Sequence, residues 1–109
     1  MLNPFQKMIE SQLAGVQQNM VDATEELRVM EIKGSAGGGA VTVTVSGLGE
    51  VLDVAIDPNV IDEGDCDLIQ DLVCAGLRDA IRKATEIKRE KLSEALPLAR
   101  MGMELPELL

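Results

Sequence analysis

The fold is decided by residues 41–56, VTVTVSGLGEVLDVAI, in the middle of the 109-residue chain. In its first six residues valine alternates with threonine and serine, which is the period-2 pattern of a strand with one buried face. A short Gly-Leu-Gly-Glu turn separates this run from a second apolar run, VLDVAI, which Asp57 and Pro58 stop. Two such runs joined by a short glycine-containing turn predict an antiparallel hairpin.

A further strand is predicted just before this hairpin, within residues 27–33, LRVMEIK. Residues 34–39, GSAGGG, contain four glycines and are expected to form a loop. The three strands then make an antiparallel meander over residues 28–58. Such a sheet is too small to stand alone and has two open edges, so it needs helices packed on it or a second copy beside it.

A long helix is predicted before the meander, over residues 4–27. Asn3 is a candidate N-cap and Pro4 suits the first helical position. Apolar residues then recur at heptad spacing: Ile9, Leu13, Val16, Met20, Ala23 and Leu27. A helix of about 24 residues is roughly 36 Å long, so part of it should project or pair with another helix. Ordinary packing of its second half on the sheet is an equally open interpretation.

A second long helix is predicted over residues 65–95, with acids at its start and bases toward its end, as the helix dipole favours. Seven residues share one apolar arc of about 120°: Ile69, Val73, Leu77, Ala80, Ile81, Ala84 and Ile87. Pro97 stops the helix, and residues 97–109 are expected to be a loose tail. The sequence thus predicts a single α+β domain over residues 1–109, in the order α-β-β-β-α.

The composition argues against catalysis, because the chain has no histidine and therefore no Ser-His-Asp or Cys-His pair and no imidazole metal ligand. The glycine run lacks the spacing of a phosphate-binding loop, and the acids between residues 53 and 71 lack the spacing of an EF-hand. We therefore expect no catalytic residue, no cofactor and no metal. An enzyme that uses these carboxylates is the least favoured alternative.

Other sequence features bear on the compartment. Cys66 and Cys74 do not form a CxxC motif, and we interpret them as reduced, partly buried thiols of a cytoplasmic protein. No signal peptide and no stretch long enough for a membrane span is recognisable, so we expect no membrane partner. The single aromatic residue, Phe5, argues against a stacking platform for single-stranded nucleic acid.

The net charge of −9 also argues, on average, against contact with a phosphate backbone. The bases are segregated, however, because residues 78–91 contain six bases and three acids, a local charge of +3, whereas the rest of the chain has four bases and 16 acids. We call these six bases the basic segment: Arg78, Arg82, Lys83, Lys88, Arg89 and Lys91. An ordinary solvated helix face and a phosphate-contacting face are both open interpretations; in a dimer the number of bases would double.

Four stretches together resemble a known family: GSAGGGAVTV at 34–43, Gly47, VAIDP at 54–58 and GMELP at 102–106. They are similar to the signature of the YbaB/EbfC family of bacterial nucleoid-associated proteins, and the resemblance extends over nearly the whole chain. It implies a homodimer whose sheets join through their edges, long helices that protrude to grip duplex DNA, and no enzymatic activity. It also implies a location in the cytoplasm and the nucleoid, with an effect on nucleoid organisation or gene expression.

Applied to this chain, the resemblance assigns DNA contact to the basic segment. Without aromatics or an Asn/Arg recognition cluster, binding should be directed mainly to the DNA backbone. The alternative hypothesis is a protein-interaction module that docks a partner protein through the heptad-spaced face of the first helix.

Overall fold

The computed structural model describes residues 3–95, apart from the side chains of Gln12 and Leu13. The described elements are α1 (Pro4–Val29), β1 (Glu31–Ala36), β2 (Val41–Ser46), β3 (Val51–Ile56), α2 (Pro58–Asp62) and α3 (Cys66–Glu94). The predicted α+β architecture is confirmed, with the short helix α2 added before the last long helix. The predicted tail, 97–109, lies outside the described residues, and the assignment of the whole chain to one domain stays a prediction.

Helix α1 begins at a capping box. The Asn3 side chain accepts a hydrogen bond from the Gln6 backbone N–H at 2.8 Å, and the Gln6 side chain accepts one from the Asn3 backbone N–H at 3.2 Å. The helix continues to Val29, so the prediction that the strand region begins at residue 28 was wrong. The reason is tertiary, because Leu27 is fully buried in a cluster with Ala23 and Leu92 that joins α1 to α3.

The loop predicted over residues 34–39 was also partly wrong, because residues 34–36 belong to β1. Gly34 is buried where β1 passes against α3, and a Cβ atom there would lie 2.2 Å from the backbone nitrogen of Ala80. Glycine is therefore required at this position for close packing and not for a turn. The turn itself is confined to Gly37–Gly39, whose three φ angles are positive.

The sheet is antiparallel in the order β1-β2-β3, so β2 is the central strand. Its three valines, Val41, Val43 and Val45, are fully buried beneath α3. Helix α3 can lie close because it contributes Gly76, Ala80 and Ala84 to this contact. Full burial of one valine is worth about 1.5–3 kcal/mol, so the three valines contribute substantially to the stability of the described part of the chain.

Two edges of the sheet differ in how they are covered. Helix α3 packs over β1 and β2, whereas β3 has no buried residue. Val51, Leu52 and Val54 in β3 are between 39% and 52% exposed. A bulge disturbs the start of β3, where Thr44 pairs with Asp53 but Val45 pairs with Val51.

The structure also tests three predictions about the exposure of residues on the helices. Cys66 and Cys74 are free thiols but are exposed, so the prediction of partial burial was wrong. Val73 faces the core, and Cys74 comes next in the helix, about 100° further around its axis and thus off the core-facing side. Ile81, predicted for the apolar arc, is 38% exposed because it faces the β2–β3 turn. The start of α1 projects from the sheet, with Phe5 65% exposed.

Candidate nucleic-acid interface

The structure places the whole basic segment on α3, where its bases alternate with Ala80 and Ala84 of the face that packs on the sheet. Arg78 and Arg82 are exposed, whereas the other four bases are half-buried. The packing of Ala80 and Ala84 against the sheet fixes the rotation of α3. The two exposed arginines therefore point away from the sheet.

Two of these bases converge on one carboxylate. Asp79 Oδ1 accepts a hydrogen bond from Arg82 Nη2 at 2.9 Å, and Asp79 Oδ2 lies 3.0 Å from Lys83 Nζ. Asp79 Oδ2 also accepts a hydrogen bond from the backbone N–H of Ser35 at 3.0 Å. Lys83 Nζ in addition donates to the carbonyl oxygen of Lys33 at 3.4 Å. We call Ser35, Asp79, Arg82 and Lys83 the Asp79 cluster.

The cluster holds its charges over a wide pH range. The Ser35 N–H, then Lys83, then Arg82 lower the pKa of the Asp79 carboxyl from 3.8 to about 2. The hydrogen bond to Asp79 and the nearby Glu86 carboxylate raise the pKa of Arg82 above its ordinary value. Asp79 is thus ionised at any pH near neutrality, and the cluster carries two positive charges and one negative.

Other carboxylates hold bases of the segment as well. Arg82 Nη1 lies 3.4 Å from Glu86 Oε1, one turn further along α3. Lys91 forms an ion pair with Glu26 of α1, and this hydrogen bond raises the pKa of Lys91 above its ordinary value. Exposed ion pairs contribute little to stability, so a phosphate can replace the carboxylate beside one of these bases at low cost.

Arg78 and Lys88 lie in different surroundings. Arg78 is exposed one turn before Arg82. Lys88 lines a cleft of about 200 Å³ together with Ile81, Thr85 and the glycines of the β2–β3 turn. The structure thus brings Arg82 and Lys83 together, whereas Lys91 lies at the junction of α1 and α3.

Sequence reasoning counted Asp79 as one of three acids and missed its role in the cluster. Its spacing of three and four residues before Arg82 and Lys83 is the local signal that could have found it. The contribution of Ser35 could not be found in this way, because residues 34–36 were assigned to a loop.

A second surface is defined by the open edge of the sheet. Within residues 3–95, β3 pairs only with β2, so its outer edge presents unpaired backbone N–H and C=O groups. Exposed apolar side chains lie on this strand and on the elements that follow it in the chain: Val51, Leu52, Val54, Ile61 and Leu68.

Comparison with known proteins places this geometry in a family. The model of the YbaB/EbfC DNA-binding family matches residues 3–98. The chain belongs to this family. A nucleoid-associated protein of Saccharopolyspora erythraea is 47% identical over 82% of this chain and 77% of its own length. A nucleoid-associated protein of Rhodococcus erythropolis is 42% identical over 96% of this chain and 92% of its own length.

A solved structure supports the fold independently. An uncharacterized protein from Helicobacter pylori superposes with a TM-score of 0.68 at 23% sequence identity, over 83% of this chain and 92% of that chain.

The YbaB/EbfC family is a family of DNA-binding proteins and not of enzymes. Within the described residues, no group of Cys, Asp or Glu side chains is placed to hold a metal ion, and no helix is long and apolar enough to cross a membrane.

Proposed function

We propose that the protein is a homodimeric, non-enzymatic, nucleoid-associated protein that binds duplex DNA mainly through the phosphate backbone. The observation that carries the proposal is the basic segment on one helix of a chain that belongs to a DNA-binding family. The names of the relatives support a location in the nucleoid, and hence in the cytoplasm, with a role in nucleoid organisation or gene expression.

The open edge of β3 supports the homodimer. A small sheet with an exposed apolar edge strand is a template for pairing with another strand, and a two-fold axis at this edge joins two copies of the same surface. The chain carries a net charge of −9, so two copies repel each other and need apolar contacts to associate. Such a dimer contains two basic segments.

Backbone-directed binding is supported by the chemistry of the exposed side chains. Arginine and lysine neutralise phosphates at any sequence, and the binding constant then falls with salt by about 0.9 logarithmic units per phosphate contact. The segment offers no aromatic side chain to insert between bases, since Phe5 on α1 is the only aromatic residue. We therefore expect weak discrimination between DNA sequences.

The test is a fluorescence titration of two unrelated duplexes at about 50 and about 200 mM salt. We expect binding to both duplexes and a steep loss of affinity at the higher salt. The triple variant Arg78→Glu, Arg82→Glu, Arg89→Glu should lose binding. Its matched control is Lys7→Glu, Arg28→Glu, Lys33→Glu, which changes the net charge equally outside the segment and should retain more affinity.

Several results would contradict the proposal. One is that the wild-type chain does not bind either duplex at the lower salt concentration. Another is that its affinity for DNA does not depend on the salt concentration. Equal losses in the two triple variants would show that net charge, and not the basic segment, determines the affinity.

A second candidate function is the docking of a partner protein by α1. The observation that favours it is the exposure of Phe5, Met8 and Ile9 at the projecting end of this helix. Under this alternative, a pull-down partner survives nuclease treatment and is lost with Ile9→Asp, whereas the exposed control Val29→Asp retains it.

A further inference from the structure

We infer that Asp79 is an internal competitor for DNA phosphate: its carboxylate pairs with Arg82 and Lys83, and a DNA phosphate has to compete with it for these two bases. This inference rests on the proposed function. It concerns an acidic residue with the same charge sign as a DNA phosphate, so Asp79 is not one of the six bases of the basic segment. Asp79 acts through two bases, so it is a positioning residue for DNA binding.

The donor set around Asp79 is the set that recognises phosphate. A guanidinium group, an ammonium group and a backbone N–H all point at its two carboxylate oxygens, at 2.9, 3.0 and 3.0 Å. The same three donor types are among those with which proteins contact DNA phosphates. The Asp79 carboxylate therefore occupies a set of donors that also suits a phosphate.

The two bases are accessible to an external anion. The Arg82 and Lys83 side chains are 59% and 43% exposed, whereas Asp79 is 24% exposed. Both bases thus keep surface in contact with solvent, whereas the carboxylate is less exposed than either of them. A phosphate can approach from outside, and the exposed ion pairs are weak enough to exchange.

Asp79 also has a structural contact, and a suitable variant separates the two roles. The Ser35 N–H donates to Asp79 Oδ2 and so links β1 to α3. In Asp79→Asn the amide oxygen can still accept this hydrogen bond, but the negative charge is removed. The low pKa of Asp79 means that protonation does not relieve the competition near neutral pH, so the charge has to be removed by substitution.

The decisive experiment compares variants that change the net charge by the same amount. Asp79→Asn should lower the Kd for a duplex on the order of 3- to 10-fold at about 50 mM salt, and should make the salt dependence steeper. Glu90→Gln is the matched control, since Glu90 is exposed on the same helix and the structure gives it no ion pair within residues 3–95. It should change the Kd by less than about 2-fold. Glu86→Gln, which frees Arg82 from one of its two carboxylates, should be intermediate.

A second step shows whether Asp79 acts through its two bases. In the background Arg82→Gln, Lys83→Gln, the substitution Asp79→Asn should have no larger effect than Glu90→Gln. In the wild-type chain, the NMR signals of the Arg82 guanidinium and the Lys83 ammonium should shift when a short duplex is added. The Ser35 amide signal should also shift, because its acceptor loses two other donors. These signals test the inference even if Asp79→Asn does not fold.

The outcomes separate this inference from the proposed function. If the wild-type chain does not bind DNA, both fail. If it binds but Asp79→Asn and Glu90→Gln have equal effects, or Asp79→Asn weakens binding in a folded protein, the inference alone is wrong. Side-chain signals of Arg82 and Lys83 that do not move in the DNA complex would also overturn it.

Discussion

The two edges of the sheet are treated in opposite ways. At the β1 edge, the Ser35 N–H donates to Asp79 and the Lys33 carbonyl accepts from Lys83, so two side chains of α3 occupy the backbone groups that another strand would use. At the β3 edge, the described residues provide no such cover, and apolar side chains are exposed. The β3 edge is therefore the more open of the two edges in the described residues. The same pair, Asp79 and Lys83, belongs to the candidate DNA interface and to the protection of the sheet.

The largest effect is expected where the covered edge meets α3, at Gly34. A Cβ atom at this position would lie 2.2 Å from the backbone nitrogen of Ala80, and backbone cannot move aside as a flexible side chain can. Gly34→Ala should therefore separate β1 from α3 and lower the free energy of unfolding by about 3 kcal/mol or more. Thermal or urea unfolding followed by circular dichroism measures this change.

A glycine in open space provides the control for this substitution. Gly15 lies within α1, and a Cβ atom there would have no neighbour within 4 Å. Gly15→Ala should raise the free energy of unfolding by about 0.5–1 kcal/mol, because alanine favours the helix. Equal stability of the two variants would refute the close approach of β1 to α3.

The next effect concerns the open edge. Val54→Asp places a charge in the middle of the exposed strand, where the proposed dimer would have to bury it. We expect the dimer dissociation constant to rise by about 100-fold, which corresponds to about 2.7 kcal/mol. Sedimentation velocity or light scattering at micromolar concentration measures the shift to monomer.

Val29→Asp is the matched control, because Val29 is the most exposed large apolar residue in the described chain and lies outside the sheet. It should leave the dimer intact. A wild-type chain that sediments as a monomer would contradict the proposed dimer. Dissociation of the dimer in both variants would show that the interface is not specific to the β3 edge. DNA affinity should fall with Val54→Asp, since the two basic segments would no longer be joined.

The two edges of the sheet also differ in how much of their structure could be predicted from the sequence. The valine alternation in β2 and the N-cap at Asn3 are local patterns, and both appear in the structure as predicted. The position of β1 could not be predicted, because Gly34 is selected by contact with Ala80, which is 46 residues away in the sequence. A glycine in a glycine-rich run is locally indistinguishable from a loop residue.

The candidate site was predictable to a similar extent. The bases and their clustering can be counted in the sequence, and the spacing from Asp79 to Arg82 and Lys83 is typical of helical ion pairs. The third donor of the cluster depends on how β1 docks on α3, which no spacing along the chain shows. The neutralising partner of Lys91, Glu26, likewise becomes a neighbour only when α1 packs against α3.

The smallest effect is a pH dependence at the covered edge. The pKa of Asp79 is lowered to about 2 in the folded chain, below the 3.8 of an unperturbed carboxyl, so ionised Asp79 favours the folded state. This contribution to the free energy of unfolding is fully present above the pKa of Asp79 in the unfolded chain, 3.8, and is lost as the pH falls from about 4 toward 2. The difference in Tm between the wild-type chain and Asp79→Asn should therefore be constant near neutral pH and narrow below about pH 4. The Ser35 amide NMR signal of the folded chain should titrate around the folded-state pKa of Asp79, about 2, because its acceptor loses its charge there. A difference in Tm that persists unchanged to pH 2 would show that the charge of Asp79 does not hold this edge.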